Sequence, residues 1–403
     1  MYPQELIDEV VDYLHDWPSA LKACSLVSRK FYPRTRVHLF RRVNCDDPKS
    51  APIFDIARDS PELLQCVKHV ELRCLDFFLP EHHTATVDFL HSLTFPVTLS
   101  VWDNSDMTDY SDDECEWRHI LPAFVSSAPY GAVARLELNN PRWNTFLEFH
   151  DIVLSLPNVT ELYISDLREM NTINDAFVPV SLTPRIKKMH VDVDWDTVLI
   201  FWEGLRSYRS VYLDHLEEFH VINCSLEELS SVVQTVNLAP KDLKVLEIDC
   251  HQLWHLTDIA GLPVSPSLPH LNTTADLRLS VELSDGTLPF INWWINSFKA
   301  LEKDSPVIER LTLRLADAER SISSGQLEPL KRAFEELSDF LSKLVRNVDL
   351  VFQLQIYEAQ PSPLASRFRN AIVDACEVLK EKSNLRVFDM DEYTYEVPVF
   401  PIP

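Results

Sequence analysis

Glycine is scarce in this chain: five in 403 residues, at 131, 204, 261, 286 and 325, none within six residues of another. Loops that cradle phosphate need clustered glycines so that the backbone can approach the ligand. Their absence excludes P-loop and dinucleotide-fingerprint readings. Positive charge is also short. Against 62 Asp+Glu stand only 37 Lys+Arg, a net charge of −25. Such a surface repels phosphate backbones and anionic lipid heads, so neither nucleic acid nor membrane is expected as a partner. The eight cysteines (24, 45, 66, 74, 115, 224, 250 and 376) form no C-x2-C or C-x4-C pair. Structural zinc sites use such local pairs, so no metal is expected. No apolar run approaches the ~20 residues that cross a bilayer. The acidic, amphipathic N-terminus lacks the basic stretch of a secretory signal. These absences lead to an expectation of cytoplasm or nucleus, with thiols free and mostly buried. The three sequons, at Asn158, Asn223 and Asn272, are then chance matches. Catalytic motifs are missing too: no G-x-S-x-G, no H-E-x-x-H and no local cysteine signature. No enzyme activity and no cofactor are expected.

What is present begins with helical spacing. Leu6, Ile7, Val10, Val11 and Leu14 recur at helical intervals behind Pro3, with Glu5, Asp8, Glu9 and Asp12 between them. Pro3 suits a first helical position and the acids suit the positive end of the helix. Trp17-Pro18-Ser19 ends this helix and starts a second, with Ala20, Cys24, Val27 and Phe31 on its apolar side. Pro33 opens a third short turn ending near Phe40. In the first 42 residues all five acids precede position 17 and all seven Lys/Arg follow from Lys22.

The pattern Pro3-x-Glu5-Leu6-Ile7, then Leu21, then Ala23-Cys24-Ser25-Leu26-Val27-Ser28-Arg29-Lys30-Phe31, resembles the F-box, as found in proteins abundant in mushroom-forming fungi. Tyr2 stands where that family has Leu, and Phe31 where Trp is common. The resemblance covers residues 2–42 and implies docking onto the small acidic Skp-type linker of a cullin ubiquitin ligase. The residues it assigns to linker binding are Pro3, Leu6, Ile7, Leu14, Leu21, Val27 and Phe31. The alternative is a helical cap on whatever follows, since repeat proteins need covered ends.

From residue 43 to 403 one phrase repeats: apolar-x-x-apolar-x-apolar. It appears as Val67-Lys-His-Val70-Glu-Leu72, Val133-Ala-Arg-Leu136-Glu-Leu138 and Leu216-Glu-Glu-Phe219-His-Val221. Its fourth positions fall at 70, 99, 136, 162, 189, 219, 246, 277, 311, 348 and 388, eleven units spaced 26 to 40 residues apart. A period of this length is the mark of stacked repeats, and alternation at the end of each phrase reads as a short strand. Helical patterns lie between, as at 329–344 and 367–382, and Ser225 with Glu228 forms a capping box. The expectation is an α/β solenoid with a parallel sheet on one side and helices on the other. The phrase resembles the leucine-rich repeat in a long, irregular form. The asparagine that usually follows it is mostly missing; Asn139, Asn140 and Asn223 are the near candidates.

Residues flanking the apolar strand positions face the other side of the sheet. Tyr163, His190, His220, Arg278, Arg310 and Arg314 are the candidates to meet an unknown protein substrate, with the three arginines as a local basic spot. His190 and His220 hold equivalent positions in successive phrases. Asp389 and Asp391 are placed on the same side by the last phrase. Together the readings imply a substrate-recruiting adaptor in ubiquitin-dependent degradation, or else a non-enzymatic repeat scaffold with a helical cap.

Residues 103–116 hold seven acids and no Lys or Arg. They lack the glycine and the spaced glutamate of an EF-hand loop, so a solvated insertion is expected. The melting temperature of the full chain should therefore not change on adding calcium or zinc. A site formed only in the folded state would raise it by mass action. A shift of several degrees reversed by chelator would overturn the expectation.

Overall fold

The computed structural model describes residues 2–45, 55, 58–74, 80–103, 130–140, 145–167, 184–193, 199–224, 226–240, 243–250, 276–283, 287–300, 309–317, 327–344, 349–355, 370–371, 374–375 and 384–390. They divide into two compact units, 1–186 and 187–403.

The first unit opens with three helices, α1 (Gln4–Tyr13), α2 (Pro18–Val27) and α3 (Tyr32–Leu39). Pro18 and Pro33 sit in the first turns of α2 and α3, where a missing N–H is harmless. Pro3 stands one residue ahead of its expected place. It caps α1, and its carbonyl accepts the Ile7 N–H at 3.4 Å. Ile7 and Val11 of α1 and Leu21 of α2 are buried and close the helices together.

Five strands follow: β1 (Arg42–Asn44), β2 (His69–Cys74), β3 (Val97–Asp103), β4 (Val133–Asn139) and β5 (Glu161–Leu167). All pair in parallel, each with its neighbour in the chain. The register aligns Val43, Val70, Leu99, Leu136 and Leu162 in one row. Leu72, Val101, Leu138 and Ile164 form the next row of the same face. Every member of both rows is buried. Helices α4 (Pro80–Ser92) and α5 (Phe146–Leu154) connect strands and bury Phe89, Leu90, Phe146, Phe149 and Val153. Thr145 caps α5 by accepting the Glu148 N–H at 3.3 Å.

The second unit continues the pattern with β6 (Lys188–Val193), β7 (Glu218–Ile222), β8 (Val245–Cys250), β9 (Asp276–Leu283), β10 (Arg310–Asp317), β11 (Asp349–Gln355) and β12 (Asn384–Met390). Again all are parallel and in chain order. Between them lie α6 (Leu199–Ser207), α7 (Arg209–Tyr212), α8 (Leu226–Val236), α9 (Thr287–Ala300) and α10 (Leu327–Leu344). Met189, Phe219, Leu246, Leu277 and Leu311 form one buried row. Trp202 of α6 meets Phe219 edge-on, ring centres 6.2 Å apart, so the helix covers that row. The stripe expected on α10 is buried at Leu330, Phe334, Leu337 and Leu341.

Three expectations change. The sheet begins earlier than the first phrase: β1 holds a single buried apolar residue, Val43, too little for a periodic signal, and its pairing with β2 defines it. The last two phrases shift. Leu350 and Leu385, not Val348 and Phe388, stand in the row of Leu311. Asp389 consequently pairs with Leu354, on the apolar side of the register, not the polar one. Ser225, Asp391 and most of 367–382 lie outside the described residues.

Asn140 and Asn223 follow β4 and β7 with φ of 55° and 58°, a left-handed bend that asparagine tolerates better than most side chains. Asn140 donates its N–H to Ser165 O at 2.8 Å, and Asn223 donates from Nδ2 to Asp192 Oδ1 at 2.6 Å. Two of the three candidate asparagines thus end strands and tie them to a neighbour.

Leu136 sits between Leu99 and Leu162 and is fully buried. Leu136→Ala should cost about 2–5 kcal/mol in urea unfolding, with faster hydrogen exchange in β3, β4 and β5. A loss under about 1 kcal/mol would contradict this packing.

Candidate functional site

Two kinds of surface draw attention: the outer sides of the first helices, and the polar side of the strands in each unit. On the first three helices the apolar positions split between two sides. Ile7 and Val11 point into the helices' own core. Leu6, Val10 and Tyr13 share another side of α1 and are 48%, 54% and 87% exposed. At the end of α2, Leu26 and Val27 are 88% and 75% exposed, and Tyr2, Trp17 and Tyr32 are exposed as well. Nine of the twelve large apolar side chains exposed among the described residues lie within 2–37, which makes a localised surface and not scattered exposure.

Of the residues assigned to linker binding, Pro3, Leu6 and Val27 are exposed, and Leu14 and Phe31 are partly so. Ile7 and Leu21 are corrected: both are buried within the helices and support the surface from beneath. Val10, Tyr13, Trp17 and Leu26, which the resemblance does not assign, are exposed as well. The signal was available, because positions 6, 10, 13 and 17 recur at helical spacing just as 7, 11 and 14 do.

Asp12 fixes how α1 meets α3. Arg34 donates to both its oxygens at 2.5 and 2.7 Å, and His38 donates from Nε2 at 2.7 Å. The Arg34 hydrogen bonds, with help from His38, hold the Asp12 carboxyl down at about 2. Gln4 donates to Lys30 O at 2.9 Å and ties the start of α1 to the link between α2 and α3.

The second surface is the polar side of the sheet. In the first unit Arg42 makes a two-point contact with Glu71, at 2.9 and 2.8 Å. Arg135 pairs with Glu137 at 2.6 Å and lies 3.8 Å over the Tyr163 ring. Ser100 donates to Glu137. Tyr163 is therefore half-buried beneath a guanidinium rather than open.

In the second unit His190 and His220 are register partners on β6 and β7, ring centres 5.9 Å apart. His220 Nδ1 donates to Glu247 Oε2 at 2.7 Å, and its Nε2 lies 3.9 Å from Glu218 Oε2. Burial opposes a charge on this imidazole, but Glu218 and Glu247 together raise its pKa above the ordinary 6.5. Glu218 is held at about 2, chiefly by His220. Both ring nitrogens of His220 thus face carboxylates, an arrangement for an imidazolium and not for a metal ligand. Among the described residues no group of three or more His, Cys, Asp or Glu could hold a metal ion.

Of the expected basic spot, Arg278 is internally paired. Arg278 donates to Asp276 at 2.8 and 3.2 Å and lies 3.7 Å from Glu247. Arg310 is exposed but stands in register between Asp276 and Asp349. Arg314 stands between Ser280 and Gln353, its side chain outside the described residues.

No protein-family model matches the chain, and no curated protein matches its sequence. No helix among the described residues is long and apolar enough to cross a membrane.

Replacing Asp12 by Asn should speed hydrogen exchange in α1 and α3 at neutral pH while leaving β6–β12 unchanged. A carboxyl with a depressed pKa stabilises the fold above its unfolded value of 3.8 and stops doing so as pH falls through about 2. The gap between parent and variant should therefore close between pH 4 and pH 2. A gap unaltered across that window would show that Asp12 acts through packing instead.

Proposed function

We propose that the protein is a substrate-recruiting adaptor of a Skp–cullin–F-box type ubiquitin ligase, with residues 1–42 as its F-box and the strand–helix units as a leucine-rich-repeat-like arc that binds a protein substrate. The observation that carries this reading is the open apolar side of α1 and α2, where Leu6, Val10, Tyr13, Leu26 and Val27 are exposed. A helical cap would turn such side chains onto the first strands. Lys22, one turn before Leu26 on α2, and Arg29, just past the end of α2, are exposed, in a chain of net charge −25. Cations beside Leu26 and Val27 suit a small acidic linker, whereas the exposed acids Glu5 and Glu9 flank Leu6 and Val10.

The consecutive parallel strands, each in register with the next, support the repeat part of the proposal. So do the left-handed asparagines after β4 and β7. The cap reading draws on one observation of its own. The backbone N–H groups of Lys68 and His69 both donate to Arg41 O, just past α3, at 2.9 and 3.0 Å. That end of the helices therefore adjoins the sheet, while the exposed sides of α1 and α2 remain available. One module can cover the sheet edge with α3 and present α1 and α2 to a partner.

Titration with a Skp-type linker tests the proposal. Leu6→Asp and Val27→Asp should each weaken binding on the order of a hundredfold, since a carboxylate buried without a partner at an interface is costly. Their melting temperatures should match the parent's. Ile7→Asp, by contrast, should lower the melting temperature, because Ile7 lies inside the helices. No linker affinity in the parent would leave the scaffold reading in place of the adaptor.

A further inference from the structure

An alternating chain of charge crosses four strands of the second unit. Lys188 of β6 pairs with Glu218 of β7 at 3.0 Å. Glu218 faces His220 on the same strand, and His220 donates to Glu247 of β8. Glu247 lies 3.7 Å from Arg278 of β9, which donates to Asp276. Three cations thus meet three carboxylates when the imidazole is charged. We infer that His220 is a proton-linked clamp in this row, joining Glu218 to Glu247 when charged and breaking the row between Glu218 and itself when neutral.

The break is placed by the two ring nitrogens. A neutral imidazole protonated at Nδ1 keeps its bond to Glu247, whose oxygens can only accept. Its Nε2 then turns a lone pair, not an N–H, toward Glu218 Oε2. Glu218 is left to Lys188, and the remainder of the row carries one negative charge more than before. Among the described residues, the other charged or titratable groups on the same side of β6, β7 and β8 are His190 and Asp192 on β6 and Asp249 on β8. Arg278 opposes a second positive charge here, and the His190 ring lies 5.9 Å away. Burial makes the change matter: His220 and Glu247 are 18% and 11% exposed as side chains, so water screens the pair poorly. The inference needs no partner and stands apart from the adaptor reading.

The test uses the full chain with 13C-labelled histidine, His220→Gln identifying the resonance. His220 should titrate above the 6.5 of an ordinary histidine. In Glu218→Gln its midpoint should move down. A histidine with a raised midpoint stabilises the fold below its unfolded value, and that contribution is lost as pH rises through the folded one. The melting-temperature lead of the parent over Glu218→Gln should therefore be largest near pH 6 and shrink to a constant by pH 9, the constant reflecting the lost Lys188 pair. If Glu218→Gln fails to fold, Glu247→Gln takes its place with the same expectation. A parent midpoint at or below 6.5, or one unmoved by both carboxylate variants, would overturn the clamp.

Discussion

A parallel strand that slips by one residue against its neighbour exchanges its buried and its polar side. In this chain that slip would carry Val70, Leu99, Leu136 and Leu162 out of the core and bring in Glu71, Ser100, Glu137 and Tyr163. The register is thus the constraint on which the rest depends. It is enforced twice. On one side, apolar rows pack under helices, as Trp202 does on Phe219. On the other, each polar row satisfies itself sideways, Arg42 with Glu71 and Lys188 with Glu218. The second enforcement is the weaker in energy, since partly exposed ion pairs contribute little. It is nevertheless specific, because each pair exists in only one register.

This arrangement explains why the polar side is less open than alternation alone suggests. Glu71, Ser100, Glu247, Asp249 and Ser280 all sit on the polar positions of their strands and are all nearly inaccessible. Short polar side chains between longer ones are covered by their neighbours about 4.8 Å away on adjoining strands. A carboxylate in such a place needs a cation within reach. The Arg and His residues that look like a binding surface in the sequence therefore do internal work first. Arg278 and His220 are the clearest cases.

The repeats were legible because a strand phrase of fixed form leaves the same mark wherever it recurs. Ten of the twelve strands among the described residues lie where the phrase puts their core, or within two residues of it. β1 escaped because three residues carry no period. The last two strands were displaced because each phrase offers two registers: Val348 and Leu350 lie two residues apart on one alternation, and Val387 and Phe388 lie on opposite ones. Only the neighbouring strand decides between them. The same limit applied to α1. Apolar residues at 6, 7, 10, 11, 13 and 14 announce a helix, but not which stripe goes inside, and Ile7 was assigned to the surface that Leu6 occupies.

That double stripe is itself informative. A helix that needs only to cover a sheet edge requires one apolar side. On α1 the apolar sector is wider than that, a buried half at Ile7 and Val11 adjoining an exposed half at Leu6, Val10 and Tyr13, with the acids on the opposite face. Three helices of 10, 10 and 8 residues bury few groups among themselves, so the exposed half costs solubility without adding to their core. Asp12, with Arg34 and His38, supplies part of what packing does not, holding α1 on α3 by a polar contact at the far side from the exposed stripe's apolar centre. Fixing the helices by hydrogen bonds leaves their apolar side chains uncommitted. A module made this way is held in shape before anything binds it, so a partner need not bear the cost of ordering it.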